Sequence, residues 1–440
     1  MEQSFMLDYK NLKSNLIKHT GHLFISNSSV AAINFLINIM LVRSLGAQDN
    51  GLIVLTITIA SMVSLFIDLR FCEALIKYIG DFISQGRKDL ALGMIYLGYT
   101  IDFGLGILSC VILFFGRRAL AGLFNQPMLE ELLYIYAIML VVITVNTTSI
   151  NIFQAFSRFT QVSVYAVLTK VIDILAICVV LAMGMGPVGV LYGYLFSSIL
   201  FTAIISFQAI GFVRREFAGI NGSWRDIPFR EIAYFTFHTT FSSTLKSLNR
   251  YMDVFILGYF KDPRVVTYYK NGIGLAGIFG MISDPIYKVL FPVIVSLRNA
   301  HDTRTIKKIA KKIMLFSLVF GIPVGLFISW LAPYLITYIY KGMSDQSVIV
   351  LRIAIWIQVF NLMLCWQRPI CLAYGRSDIG SKVGLLGFAV FMVSLWILVP
   401  LYAHTGAVIA YGLLTLLNLG IVFLCTVRII RRASAENTAA

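Results

Sequence analysis

Runs of about 20 apolar residues, the helical length that crosses a bilayer's hydrocarbon core, recur along the chain with short polar interruptions. They fall near residues 23–45, 51–78, 92–115, 130–153, 162–184, 187–212, 231–258, 265–297, 313–333, 347–372, 379–402 and 405–428. The pattern predicts twelve transmembrane helices. Between the sixth and seventh lies "RREFAGINGSWRDIPFRE", Arg214 to Glu231, polar and basic with Gly219, Gly222 and Pro228, which has the composition of a connecting segment. The expected division is an N-terminal lobe 1–213, a cytoplasmic linker 214–230 and a C-terminal lobe 231–440, six spans in each lobe.

Composition agrees with this pattern. Hydrophobic residues make up 58% of the 440 and charged residues 13%, with mean hydropathy +0.83, too little charge to surround the core of a water-soluble domain. The net charge of +15 does not point to nucleic acid. With the N-terminus taken as cytoplasmic, 22 of the 36 Lys and Arg fall in loops on that side and six on the other, the asymmetry that orients membrane proteins. Both termini are therefore expected in the cytoplasm of a multi-pass inner (plasma) membrane protein. The first twenty residues hold Lys10, Lys13 and Lys18 without an apolar run, so they are read as a lead-in and not as a cleaved signal. The six cysteines show no zinc or redox spacing, and neither metal nor cofactor is expected. No outer loop carries a paired-carboxylate, His-rich or nucleophile motif, which speaks against an enzyme.

The halves resemble each other when slid by somewhat over two hundred residues. Gly46 in "LGAQDNGLIVL" matches Gly258 in "LGYFKDPRVVTYY" at offset 212, Arg158 in "FSRFTQVSVYAVL" matches Arg376 in "YGRSDIGSKVGLL" at 218, and Gly193 in "VGVLYG" matches Gly412 in "AVIAYG" at 219. Six spans separate equivalent points, so the repeats run parallel about an axis along the membrane normal. The fold class expected is an all-α membrane protein of two parallel-repeat six-helix lobes around a central cavity. "INIMLVRSLGAQDNG" at the first outer turn, the Gly-Arg inner turns and "KVLFPVIVSL" with the basic segment after it make the chain similar to the Wzx-type polysaccharide flippases. These belong to the multidrug/oligosaccharidyl-lipid/polysaccharide exporter superfamily. The resemblance implies alternating access, with a polyisoprenyl-diphosphate-linked glycan passed between leaflets. It also implies membrane lipid as a partner, and a polysaccharide polymerase and chain-length regulator as further candidates.

Charged residues inside spans mark sites, because each costs about 2.5–3.5 kcal/mol at a helix centre. Read as one helix, the seventh span places Lys246, Arg250 and Asp253 at i, i+4 and i+7, a polar stripe with Asn249 nearby. Lys and Arg in a wet cleft bind phosphate oxygens by charge-assisted hydrogen bonds, which makes Lys246, Arg250, Lys270, Arg352 and Arg70 the candidate headgroup cations. The alternative for Lys246 is an ion pair with a buried carboxylate such as Asp102 or Asp173, and for Arg250 one with Asp253. Asn27, Asn34 and Asn38 form a stripe on the first span that suits either sugar contact or helix association. Asp253, Asp284 and Asp68 are the candidates for ion coupling. The rival readings are a cation-coupled multidrug exporter of the same superfamily and, from another class, a polysaccharide polymerase or ligase. The exporter predicts acidic cavity linings and the enzyme a large catalytic outer loop.

Overall fold

The computed structural model describes residues 2–67, 71–224, 227–281, 283–341 and 345–439, with side chains between Ile25 and Ala435 apart from 238–239, 241–243, 245–246, 283–285, 288 and 377. Asp68 and Arg70 fall outside these residues, and Lys246, Asp284 and Lys288 are described by backbone alone. The helices are α1 (Glu2–Ile67), α2 (Phe71–Ser84), α3 (Lys88–Leu123), α4 (Met128–Ala155), α5 (Phe159–Ala182), α6 (Gly186–Glu216), α7 (Phe229–Leu248) and α8 (Met252–Phe260). After these come α9 (Pro263–Gly280), α10 (Ser283–Asn299), α11 (Thr303–Phe316), α12 (Ile322–Tyr340), α13 (Asp345–Leu364), α14 (Gln367–Ala373) and α15 (Ser377–Ala439), with a π-helical turn Ser317–Gly321 joining α11 to α12.

Eight stretches among the described residues are long and apolar enough to cross a membrane. Two of them are double, since α1 leaves helical geometry at Gly46 (φ 85°, ψ 179°) and α15 at Ala403 (φ 50°, ψ −126°). α15 carries two of the expected spans, one on either side of its break, while α1 carries the first and the beginning of the second, 51–78, whose last residues lie on α2. The spans expected at 231–258 and 265–297 are not single helices: α7 stops at Leu248 and α8 starts at Met252, while α9 stops at Gly280 and α10 starts at Ser283.

Helix ends are closed by a recurring device in which a left-handed residue and its successor donate to the last free carbonyls. Gly86 N and Arg87 N donate to Ile83 O and Phe82 O at 3.0 and 2.9 Å, and Ser157 N and Arg158 N to Gln154 O and Phe153 O at 2.9 and 2.8 Å. His301 N and Asp302 N do the same to Arg298 O and Leu297 O, and Gly375 N and Arg376 N to Leu372 O and Cys371 O. Eight of the eleven positive-φ residues pair across the halves, Gly86 with His301, Asn125 with Lys341, Ser157 with Gly375 and Gly184 with Ala403, at offsets of 215, 216, 218 and 219, whereas Gly46 has no such counterpart at its sequence match Gly258. The slow drift seen in the sequence match is therefore a property of the turns, even where the paired residues differ.

The chain divides into two compact units, Met1–Leu248 and Asn249–Ala440. In the first, α3 packs on α4, α4 on α6, α5 on α1 and α6, and α7 on α1 and α2. The segment 214–230 belongs to this unit as well. Phe217 and Ile227 are buried among Leu75, Ile79 and Phe82 of α2, and Ser223 N donates to Asp89 O at 3.1 Å. A Cβ on Gly93 would stand 2.2 Å from Ser223 O, so only glycine lets this backbone lie against α3. In the second unit, α13 packs on α9, α12 and α15, and α14 on α10 and α15.

These contacts can be tested by mutation and by pH. Gly93→Val is expected to cost about 1–3 kcal/mol through overpacking, read as a lower thermal-unfolding midpoint in detergent; an unchanged midpoint would mean that the 214–230 segment is not seated on α3. Asp302 caps α11 by accepting from Thr305 N at 2.9 Å, and the hydrogen bond to Thr305 holds its carboxyl below the ordinary 3.8. The Arg376 and Arg87 guanidiniums lower Asp378 and Asp89 in the same way. Depressed carboxyls contribute stability above their unfolded pKa that is lost as pH falls through the folded value. The unfolding midpoint should therefore drop below about pH 4, with a smaller drop in an Asp302→Asn, Asp378→Asn variant, and an unaltered acid limb in that variant would remove these turns as the cause.

Candidate functional site

Two buried aspartates of the first unit are paired with polar groups of the same unit. Asp102 of α3 accepts from the Thr148 hydroxyl of α4, and Tyr99, Ser149 and Ser206 form a hydroxyl chain of two 2.9 Å links across α3, α4 and α6. Asp173 of α5 accepts from Lys170 Nζ at 2.7 Å and from the Ser197 hydroxyl of α6. Both aspartates are buried, and their partners make them cross-helix links of the kind that associates helices in lipid.

The second unit holds a different arrangement at the start of α8. This helix begins after a turn at Asn249–Tyr251, and Phe255 N bonded to Tyr251 O at 3.0 Å places Asp253 in its first turn, where the helix dipole favours a carboxylate. Asp253 is 8% exposed; its Oδ1 accepts from Val254 N at 2.7 Å and its Oδ2 from the Tyr269 hydroxyl of α9 at 2.8 Å. Tyr411 of α15, hydrogen-bonded to Gln358 of α13, lies within electrostatic range of the same carboxylate. Helices α8 and α9 thus supply two neutral hydrogen-bond donors to one buried acid. A carboxylate in apolar surroundings is costly unless its oxygens are hydrogen-bonded, and both oxygens of Asp253 are. No group of three or more His, Cys, Asp or Glu among the described residues is placed to hold a metal ion.

The stripe expected on a continuous seventh helix does not form. The helix is interrupted at Asn249–Tyr251, so Lys246, on the last turn of α7, shares no helix with Asp253. Continuous-helix spacing therefore does not set the distance from Lys246 to Arg250. Arg250 sits in the turn, exposed, and no carboxylate pairs with it among the described residues. The ion pair with Asp253, one of the two expected alternatives, is replaced by the Tyr269 bond. Asn249 is half-buried with its Oδ1 buried and unpartnered. Lys270 is half-buried on α9, and Arg352 is exposed on α13, its Nε donating to Ser329 O of α12 at 3.0 Å. On α1, Asn27 and Asn34 are exposed and Asn38 half-buried, while the neighbouring Ser26 is buried and donates to Ser163 O of α5 at 2.9 Å. The side chains of Lys246 and Asp284, and all of Asp68 and Arg70, lie outside the described residues.

Tyr269, Gln358 and Tyr411 were not among the expected site residues. Tyr411 falls inside the repeated "AVIAYG" segment, a signal that was present; Tyr269 and Gln358 lie in ordinary apolar spans and became visible only when the helices were packed.

Comparison with known proteins gives a consistent picture. The family described as "Polysaccharide biosynthesis protein" matches residues 40–349. The "Probable flippase AglR" of Haloferax volcanii is 26% identical over 187 residues, 42% of this chain, and the match spans 38% of AglR's own length. The "Uncharacterized membrane protein MJ1068" of Methanocaldococcus jannaschii is 19% identical over 410 residues, covering 90% of this chain and 81% of the relative. Among solved structures, an inward-facing multidrug resistance MATE transporter is similar with TM-score 0.73 and 14% identity over 93% and 96% of the two chains. The lipid II flippase MurJ in an inward closed conformation gives TM-score 0.72 and 12% identity over 95% and 91%. At those identities the likeness establishes fold and not activity. Joined to the match over residues 40–349, it shows that the chain belongs to the polysaccharide biosynthesis protein family, with the two-lobed helical fold of the multidrug/oligosaccharidyl-lipid/polysaccharide exporter superfamily.

Proposed function

We propose that this multi-pass membrane protein is a flippase that moves a polyisoprenyl-diphosphate-linked oligosaccharide from the cytoplasmic to the outer leaflet of the inner membrane. It does so by alternating access, without covalent chemistry, in the service of O-antigen, capsule or exopolysaccharide synthesis, with both termini in the cytoplasm. The observation that carries this reading is the match of residues 40–349 to a family of polysaccharide biosynthesis proteins. The similarity to AglR, described as a probable flippase, points the same way.

The break in the seventh span supports a binding role there. Transporters place substrate and ion sites at discontinuous helices, because irregular backbone at membrane depth is tolerated only where protein or a wet cavity surrounds it. Arg250 lies in that break as an exposed guanidinium. Its planar fork suits a diphosphate carrying about two negative charges. Lys246, four residues earlier, is the second headgroup cation, and Lys270, Arg352 and Arg70 are secondary ones. Asn27, Asn34, Asn38 and Asn249 supply amides for sugar hydroxyls. Asp253 is the coupling acid of this scheme, held ready by Tyr269, ahead of Asp284 and Asp68.

Removal of the protein from its host should leave a polyprenyl-diphosphate oligosaccharide that accumulates and resists a membrane-impermeant glycosidase, as followed by mass spectrometry of extracted lipids. An unchanged lipid-linked pool would return the chain to the cation-coupled drug exporters of its superfamily. With the cargo in hand, Arg250→Ala should cut transport by about 10–100-fold, the loss of one charge-assisted hydrogen bond, while Arg250→Lys keeps a measurable part. Asp253→Asn should leave headgroup binding intact and remove the dependence of transport on an ion gradient; a variant that still follows the gradient would rule Asp253 out.

A further inference from the structure

The most strongly charged surface of the described residues lies on α11, away from the break before α8. Thr303–Tyr340 forms one uninterrupted helical stretch of 38 residues, about 57 Å at 1.5 Å per residue, nearly twice a hydrocarbon core. Its first third, "TRTIKKIAKKIMLF", is two-faced. Ile306 and Ala310 are buried against α10, α14 and α15, whereas Lys307, Lys308, Lys311 and Lys312 are exposed. The acid nearest to them in sequence, Asp302, is engaged in capping the helix.

The next turn of the helix shows where the lysine face points. Leu315 and Phe316 are 57% and 48% exposed, and they stand four residues after Lys311 and Lys312, one helical turn on along the same face. Leu318, Val319 and Phe320 continue that exposed apolar surface. An apolar helix surface left bare in a membrane protein meets acyl chains, so Leu315 marks the edge of the hydrocarbon. Lys311 is then about 6 Å beyond that edge and Lys308 about 10 Å. The headgroup layer is about 5–8 Å deep on each side. Lys311 and Lys312 therefore lie within the headgroup layer, and Lys307 and Lys308, one turn further out, border it from the water side. Arg428 and Arg431 on the neighbouring α15, which is tied to α11 by Ser434 and Thr303 at 3.3 Å, are exposed as well.

We propose that the Lys307–Lys312 face of α11 is a docking surface for anionic phospholipid headgroups of the bilayer leaflet it borders. The surface holds the second unit to that leaflet by charge. This inference is independent of the cargo and stands whether or not a glycan is transported.

The test uses the full-length protein in mixed micelles containing dioleoyl-phosphatidylglycerol or dioleoyl-phosphatidylcholine, with bound lipids counted by native mass spectrometry. The wild type should retain phosphatidylglycerol in preference to phosphatidylcholine. Each lysine at such a surface contributes about fivefold in partition, so Lys307→Gln, Lys308→Gln, Lys311→Gln, Lys312→Gln together should lower the preference by at least about tenfold. The fourfold Lys→Arg variant should keep it. Raising salt to about 0.5 M should erase the wild-type preference, because screening then acts within about 4–5 Å. If the fourfold Gln variant does not fold, Lys311→Gln, Lys312→Gln should still give an intermediate loss. A preference unchanged in the Gln variants, or lost equally in an Arg214→Gln, Arg215→Gln control on α6, would overturn the proposal.

Discussion

A peptide group in hydrocarbon has no water to bond, and an unpaired N–H or C=O there costs several kcal/mol. Nearly every feature of this molecule depends on that constraint. It forces the apolar runs into helix. It also pushes the unavoidable loose ends of those helices to turns where a left-handed residue and its successor close the last carbonyls, as at Gly86–Arg87, Ser157–Arg158, His301–Asp302 and Gly375–Arg376. Because the turns carry the geometric requirement, they preserve the ancient duplication more faithfully than the side chains do. His301 occupies in the second half the backbone role of Gly86 in the first.

The same constraint gives meaning to the place where it is relaxed. Between Leu248 and Met252 the chain gives up helix inside an apolar span, and the freed backbone and the polar side chains beside it have to be met by something other than lipid. Asp253 is met by Tyr269 and by the amide of Val254. Arg250 remains exposed without a carboxylate among the described residues. Two other intramembrane aspartates among the described residues have found partners within their own unit, Asp173 with Lys170 and Ser197, Asp102 with Thr148. A guanidinium with no carboxylate partner among the described residues, three positions before an acid held by neutral donors, is what sets this break apart from those links.

Hydrophobic burial does not assemble such a bundle, since lipid tails are as apolar as leucine. Close backbone approach and cross-helix hydrogen bonds take its place within the bilayer, while the basic segment between the halves is seated on α3 both by the close approach at Gly93 and by apolar burial. That segment reads as a tether from composition alone. Phe217 and Ile227 make it part of the first unit's core instead.

What the sequence determined by itself is what depends on local composition and period: membrane residence, the all-helical class, most of the apolar spans, the repeated turn motifs and the family. These are legible because hydropathy over 20 residues and repeated turn motifs are one-dimensional quantities. The exposed asparagines of α1 were legible on the same grounds, since helical spacing puts Asn27 and Asn34 on one face. The tertiary structure alone decided that the seventh span breaks, which dissolves the Lys246–Arg250–Asp253 stripe, and that Asp253 pairs with Tyr269 sixteen residues away instead of Arg250 three residues away. It also decided that Tyr411 of α15 comes near the same carboxylate. Helical periodicity predicts neighbours only while the helix lasts, and a carboxylate's partner is chosen by which helices pack around it, a matter of three-dimensional contact that no spacing along the chain encodes.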